Sequence, residues 1–196
     1  MGLSGLSAEF VDCLSSHELS PEPARVWVFG YGSLCWRPGF PYSERRIGHV
    51  EGYMRRFWQG SVTHRGTRDK PGRVATLVER TQGVTWGCAF CITDPAAINY
   101  LHSREVSLGG YETRVTRFQP RDGRQRAFPV MLYLATDDNP QWLGPAPLAQ
   151  LAEQVAGARG WKGPNADYVL QLVRFMKRRD GSIAAEPAAE PPGRRC

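Results

Sequence analysis

Residues Val28, Phe29, Gly30, Tyr31, Gly32, Ser33 and Leu34 carry an apolar run into a stretch where side chains nearly vanish and main-chain amides lie open. A concave set of N–H groups of that kind binds a carboxylate or a developing oxyanion. Two common glycine-loop chemistries are excluded by residue identity. Cys35 stands where a G-x-G-x-x-G loop needs glycine, and no G-K-S/T follows that would cradle phosphates. Tyr31 and Cys35 stand where a G-x-S-x-G elbow needs glycines, so Ser33 is not read as an acylating nucleophile. On these residues alone, a tight turn whose glycines only supply positive φ stays open as the alternative.

Glu105 is the acid that calls for a reason. It sits at the end of an expected helix, just before Leu108-Gly109-Gly110, where the chain must reverse. The helix dipole disfavours a carboxylate at that end, and the misfit points to a functional role, with a solvated helix terminus as the alternative. A third segment, residues 138–148, places three prolines and a glycine in one stiff loop, with Asn139, Trp142 and Leu143 as candidates to wall a small-ligand site.

Other constellations carry less. Cys88 and Cys91 form a lone C-x-x-C in a strand-like run, where alternation sends the sulfurs to opposite faces and no second Cys or His pair completes a zinc site. They read as small core residues. His17, His49, His64 and His102 show no ligand spacing, so no metal is expected. The formal net charge of +6 is dispersed along the chain, which argues against a nucleic-acid surface and suits a small anionic ligand equally well.

The elements that must position these residues follow from pattern. Six β-rich runs, 25–31, 45–58, 72–80, 83–92, 111–118 and 127–136, are separated by Gly, Pro and Asp signals without βαβ alternation, which predicts a mixed sheet or small barrel. Asp94-Pro95 is an N-cap and N1 pair opening a helix to about residue 104. A second helix is expected over 147–157, with Leu148, Leu151 and Val155 at helical spacing. A third begins near Asn165, with Tyr168, Leu172, Phe175 and Val169, Val173, Met176 as its apolar face. The class is α+β. Residues 1–24 read as a flexible leader and 181–196 as a disordered, proline-rich tail, leaving 25–180 as one domain. No apolar run of about 18 residues exists, the leader carries acids but no Lys or Arg, and the five cysteines are odd in number and scattered. A soluble cytoplasmic protein without a membrane partner is expected.

Taken together, VFGYGSLCWRP, RRFWQGS, HRG, KPGRVATLVE, REVSLGGYET and NPQWLGPAPL resemble, in order and spacing, the ChaC-type glutathione-specific γ-glutamylcyclotransferases from about Val26 to Met176. The resemblance implies a γ-glutamylcyclotransferase-like fold, a small mixed β-barrel with flanking helices. It implies cleavage of glutathione to 5-oxoproline and cysteinylglycine without a cofactor. By the same resemblance Val28 to Ser33, with Leu34, Tyr111 and Leu143, bind the substrate, and Glu105 is the catalytic acid/base. Cys35 stands where the family more often has an aliphatic residue. The alternatives are a cyclotransferase for other γ-glutamyl compounds and an interaction protein on the same fold.

Overall fold

A computed structural model describes residues 25–103, 105 and 110–177; the expected leader, the end of the chain beyond 177, and residues 104 and 106–109 lie outside the described residues. Five strands close a barrel: β1 (Val26–Gly30), β2 (Glu44–Ser61), β3 (Gly72–Ile92), β4 (Glu112–Pro120) and β5 (Phe128–Leu134), in the order β1-β3-β2-β4-β5. All pairings are antiparallel except β1 with β5, where Val28 faces Met131. Closure leaves no free sheet edge in the barrel.

Six expected runs became five strands because 72–80 and 83–92 are one strand, β3. The residues between them do not reverse the chain. They are absorbed as an irregularity, with Glu51 paired to Val84 and Tyr53 to Glu79. Gly52, the β2 residue inside that irregularity, has φ +82, which glycine adopts without strain.

Strand alternation sorts the apolar residues into two clusters. Phe29, Val50, Leu77, Ala89, Phe118, Val130 and Leu132, drawn from all five strands, fill the barrel. Val28, Cys88, Phe90, Ile92, Met131 and Tyr133 face the other way and meet Ala97 and Leu101 of α1 (Pro95–His102). Asp94 caps this helix, accepting from the Ala96 amide at 2.9 Å, with Pro95 at N1. α2 (Leu148–Gly157) starts one residue later than expected, and Leu148 is 83% exposed rather than buried, because it opens the helix directly after Pro147 and faces solvent. α3 (Asn165–Lys177) presses Tyr168 and Leu172 into the barrel cluster, while Val173 at its expected apolar face is 40% exposed. A two-residue hairpin not evident in the sequence, β6 (Arg159–Gly160) with β7 (Gly163–Pro164), leads into α3.

Asn165 fastens α3 to the barrel. Its Oδ1 accepts from the Arg73 amide at 2.6 Å and its Nδ2 donates to the Arg73 carbonyl at 2.8 Å, with the side chain fully buried. Asn165→Ala removes both partners at once. Leaving a buried N–H and C=O unpaired costs about 1–3 kcal/mol for each group, so a loss of about 2–4 kcal/mol is expected in urea unfolding. A loss under about 0.5 kcal/mol would show that β3 and α3 do not depend on this clamp. Among the described residues, no helix is long and apolar enough to cross a membrane.

Candidate active site

β1 delivers the glycine turn. Past Gly30 the chain enters a 3-10 turn, Ser33–Cys35, closed by Cys35 N donating to Gly32 O at 3.0 Å and Arg37 N to Ser33 O at 2.8 Å. The amides of Ser33 and Leu34 precede the first of these bonds and are not consumed by the turn itself. Gly32 has φ −121 and Gly30 is not among the positive-φ glycines, so the reading in which these glycines supply only φ is set aside. Close approach is the reason for glycine here. A Cβ on Gly32 would lie 2.7 Å from the Tyr168 hydroxyl, and one on Gly30 2.6 Å from the Leu34 Cβ.

The expected site residues separate into two groups. Val28 and Phe29 are buried in the two hydrophobic clusters, so only their main chain can border a ligand. Tyr31 is also buried, its hydroxyl donating to the Tyr133 carbonyl. Ser33 is exposed, and Gly32 and Leu34 are half-buried.

Glu105 comes to this turn from the far side of α1. Beyond His102 the backbone widens to π-helical at Ser103 and Glu105, a distortion often found at functional sites. The Glu105 carbonyl accepts from the Tyr111 amide at 3.0 Å, which ties the expected acid to the expected binding residue. Burial foremost, then the neighbouring Tyr111, Glu105 and Tyr168, push the Tyr31 phenol well above its ordinary range. Tyr31 therefore shares one electrostatic neighbourhood with Glu105 and Tyr111, which lie far from it in sequence.

The stiff loop is fastened to the same place. Asn139 is a tie, with Nδ2 donating to Gly110 O at 2.8 Å and Oδ1 accepting from Gln59 Nε2 and Gln141 N, both at 2.9 Å. Gly110 itself turns at φ +63. Leu143 donates its amide to Trp58 O at 2.8 Å and packs its side chain close over Gly60. Arg73, buried, grips the loop through Gly144 O at 2.6 Å and reaches Gln154 of α2 at 2.7 Å.

Arg55 was not singled out from sequence. Its Nε donates to Tyr31 O at 2.8 Å, Nη2 to Trp86 O, and Nη1 contacts the Met176 sulfur, so it props the glycine turn from behind. Burial pulls its guanidinium below the usual range. The signal was available: Arg55 shares strand parity with Tyr53 and Phe57, both packed on the barrel cluster, and an inward cation in such a row has a job.

Burial also pushes the Tyr168 phenol up to about 12 from 10.0. The folded chain then favours the neutral phenol, so its contribution is intact below pH 10 and is lost as pH rises from 10 through about 12. The melting temperature is expected to fall over that window, and less steeply in Tyr168→Phe. An unchanged slope in the variant would assign the alkaline loss to other groups.

An open hollow of about 530 Å³, lined by Glu44, Arg45, Arg46, Ile47, Arg121 and neighbouring residues, contains none of the expected site residues. The turn, Glu105 and Tyr111 form a separate arrangement: two main-chain amides that the turn does not consume, one carboxylate, and the Tyr31 phenol, whose ionisation burial pushes up. Such a set can hold an anionic group and move a proton without a protein nucleophile.

The comparisons with known proteins bear on the same segments. The chain is 46% identical over 159 residues to the glutathione-specific gamma-glutamylcyclotransferase 1 of Homo sapiens, covering 80% of this chain and 72% of that protein. It is 34% identical over 179 residues to the glutathione-specific gamma-glutamylcyclotransferase of Schizosaccharomyces pombe, covering 81% and 86%. The crystal structure of a γ-glutamyl cyclotransferase specific to glutathione from yeast superposes with a TM-score of 0.70 at 25% identity, over 85% of this chain and 90% of that one. The family model for ChaC-like protein matches residues 26–186, past the domain boundary expected at 180. With the barrel, the turn and this match in agreement, the chain belongs to the ChaC-like protein family.

Proposed function

We propose that this chain is a glutathione-specific γ-glutamylcyclotransferase, releasing 5-oxoproline and cysteinylglycine, with residues 25–180 as its catalytic domain. The observation that carries the reading is the meeting of Glu105 with Tyr31 and Tyr111 beside the open amides of the glycine turn.

In glutathione the glutamyl α-amine and γ-carbonyl belong to one residue, so attack closes a five-membered ring and orientation is what the protein must add. The ammonium gives up one proton before attack and a second as the ring forms. Glu105 takes a proton from the attacking nitrogen and returns one to the departing cysteinyl nitrogen, which leaves as an amine. The amides of 32–34 offer donors to the α-carboxylate or to the oxyanion as it develops. Tyr31, its one O–H given to the Tyr133 carbonyl and its ionisation pushed up by burial, borders the site without adding charge. Tyr111, Leu34 and Leu143 complete the walls, and Val28 and Phe29 contribute the strand end from which the turn springs. No cofactor enters the scheme.

A reducing, cytoplasmic setting agrees with the free thiols of Cys35, Cys88 and Cys91. Purified chain incubated with reduced glutathione, with neither metal nor nucleotide added, is expected to yield 5-oxoproline by mass spectrometry. No product at high enzyme concentration would refute the assignment. γ-Glutamylalanine in parallel is expected to turn over far more slowly; equal rates would widen the substrate class.

A further inference from the structure

Behind the glycine turn lies a group that this mechanism does not use. Cys35 ends the 3-10 turn and Cys88 sits on β3 directly opposite Gly30, and both are buried. Gly30 is the register partner of Cys88 and so brings the two thiols side by side, near enough for each to perturb the other's ionisation. The Cys35 thiol also has the Gly30 carbonyl as acceptor, at 3.1 Å. Its proton therefore ties the thiol to the main chain of the turn.

Arg45 completes the cluster. Its Nε and Nη2 each lie 3.3 Å from the Cys88 sulfur, and Nη2 also donates to the Cys35 carbonyl at 2.8 Å. Among the described residues no carboxylate forms an ion pair with this guanidinium. Two N–H groups of a cation directed at one sulfur stabilise the thiolate, the reactive form in oxidation. The two thiols are accordingly split. The hydrogen bond from Cys35, then Arg45, hold Cys88 below the usual thiol range against the opposing effect of burial, whereas burial pushes Cys35 well up. Arg45 also lines the open hollow, with Glu44, Arg46 and Ile47.

We propose that Cys35 and Cys88 are a hydroperoxide-responsive thiol pair whose oxidation to a disulfide displaces the glycine turn and turns the site off. The Cys88 thiolate attacks one oxygen of hydrogen peroxide; the O–O bond breaks, leaving a sulfenic acid and, after protonation, one water. The Cys35 sulfur then attacks the Cys88 sulfur, the S–O bond breaks, and a second water leaves with the Cys35 proton. Two thiols are oxidised to one disulfide and one peroxide is reduced to two waters. A dithiol reverses the step by exchange.

The consequence follows from geometry. A disulfide brings the sulfurs to about 2.0 Å, well inside hydrogen-bonding distance, and removes the S–H donor from Gly30 O. It also removes the thiolate form of Cys88 that Arg45 stabilises, while Arg45 still holds the Cys35 carbonyl. The turn carrying Gly30 to Leu34 must shift. Displacement of a positioning element by about 1 Å lowers turnover by up to about 100-fold. The turnover part rests on the function proposed above; the formation of the bond does not.

The test uses the full-length reduced chain exposed to hydrogen peroxide, alkylated, digested and mapped by mass spectrometry, with glutathione turnover followed in parallel. The expected result is a peptide linking Cys35 to Cys88 with loss of two hydrogens. It should be accompanied by about a 10- to 100-fold drop in kcat/KM that dithiothreitol restores. Cys35→Ile and Cys88→Ala should each resist inactivation, and Cys91→Ala should respond like the natural chain. Absence of the linked peptide, or its formation without change in turnover, overturns the proposal, as does inactivation of both Cys35→Ile and Cys88→Ala at the natural rate. If the reduced chain never cleaves glutathione, the assigned function falls, and the thiol pair is judged on the linked peptide alone.

Discussion

Glu105→Gln is expected to lower kcat for glutathione by about 10²- to 10⁴-fold while leaving the substrate able to bind. The amide keeps the size and hydrogen-bonding reach of the carboxylate but carries no transferable proton at neutral pH. Glu105 is half-buried, and its main-chain bond to Tyr111 survives the substitution, so folding should be preserved. Calorimetry should show glutathione binding with little change in affinity, and mass spectrometry no 5-oxoproline on the natural enzyme's timescale. That split, affinity kept and turnover lost, marks a group acting on proton transfer rather than on holding substrate. If Glu105 were only a helix-end residue, the change would move stability by about half a kcal/mol or less and leave turnover intact. Near-natural turnover in the variant would remove Glu105 from the mechanism.

Gly32→Ala is expected to reduce kcat/KM about 10- to 100-fold, the cost of moving the turn by a fraction of its own dimensions. The new methyl would sit 2.7 Å from the Tyr168 hydroxyl. Tyr168 cannot easily yield: its oxygen accepts from the Ala75 amide at 3.1 Å, its ring meets Trp36 edge-on at 5.3 Å, and it is buried in the barrel cluster. The turn gives way instead. Removing the hydroxyl makes room, so the double variant Gly32→Ala with Tyr168→Phe should recover part of the lost activity. Tyr168→Phe alone should cost about 1–3 kcal/mol by orphaning the Ala75 amide. Recovery in the double variant is non-additive by construction. If the two effects simply add, the hydroxyl contact is not what excludes a side chain at residue 32.

Some of this was legible in the chain because it is local. Asp94-Pro95 announces α1, and Asn165 the start of α3, because a cap or first turn depends only on residues a few positions away. Alternation in 127–136 separates Val130, Leu132 and Leu134 from Met131 and Tyr133, as the two clusters do. The motif segments also indicated the family, and Gly30 to Ser33 and Glu105 stood out on residue type alone.

What the sequence could not decide is what depends on barrel closure. The 80–83 stretch reads as the break between two strands, yet the chain runs through it as an irregularity because β2 stays paired on both sides. Gly30 and Gly32 read as candidates for positive φ, yet they are glycines because Leu34 and Tyr168 come too close for any Cβ. Asn139 reads as a pocket wall, and nothing local shows that it bridges Gly110 and Gln59, partners 29 and 80 residues away. Arg45 carries no local mark beyond its charge. Local propensity acts over a few residues, whereas a tie across the barrel exists only once closure has brought distant strands together. The sequence by itself determined the elements, the alternation of their faces and the family. Tertiary structure alone decided that Tyr31 comes beside Glu105 and Tyr111, and that Arg45 meets Cys88.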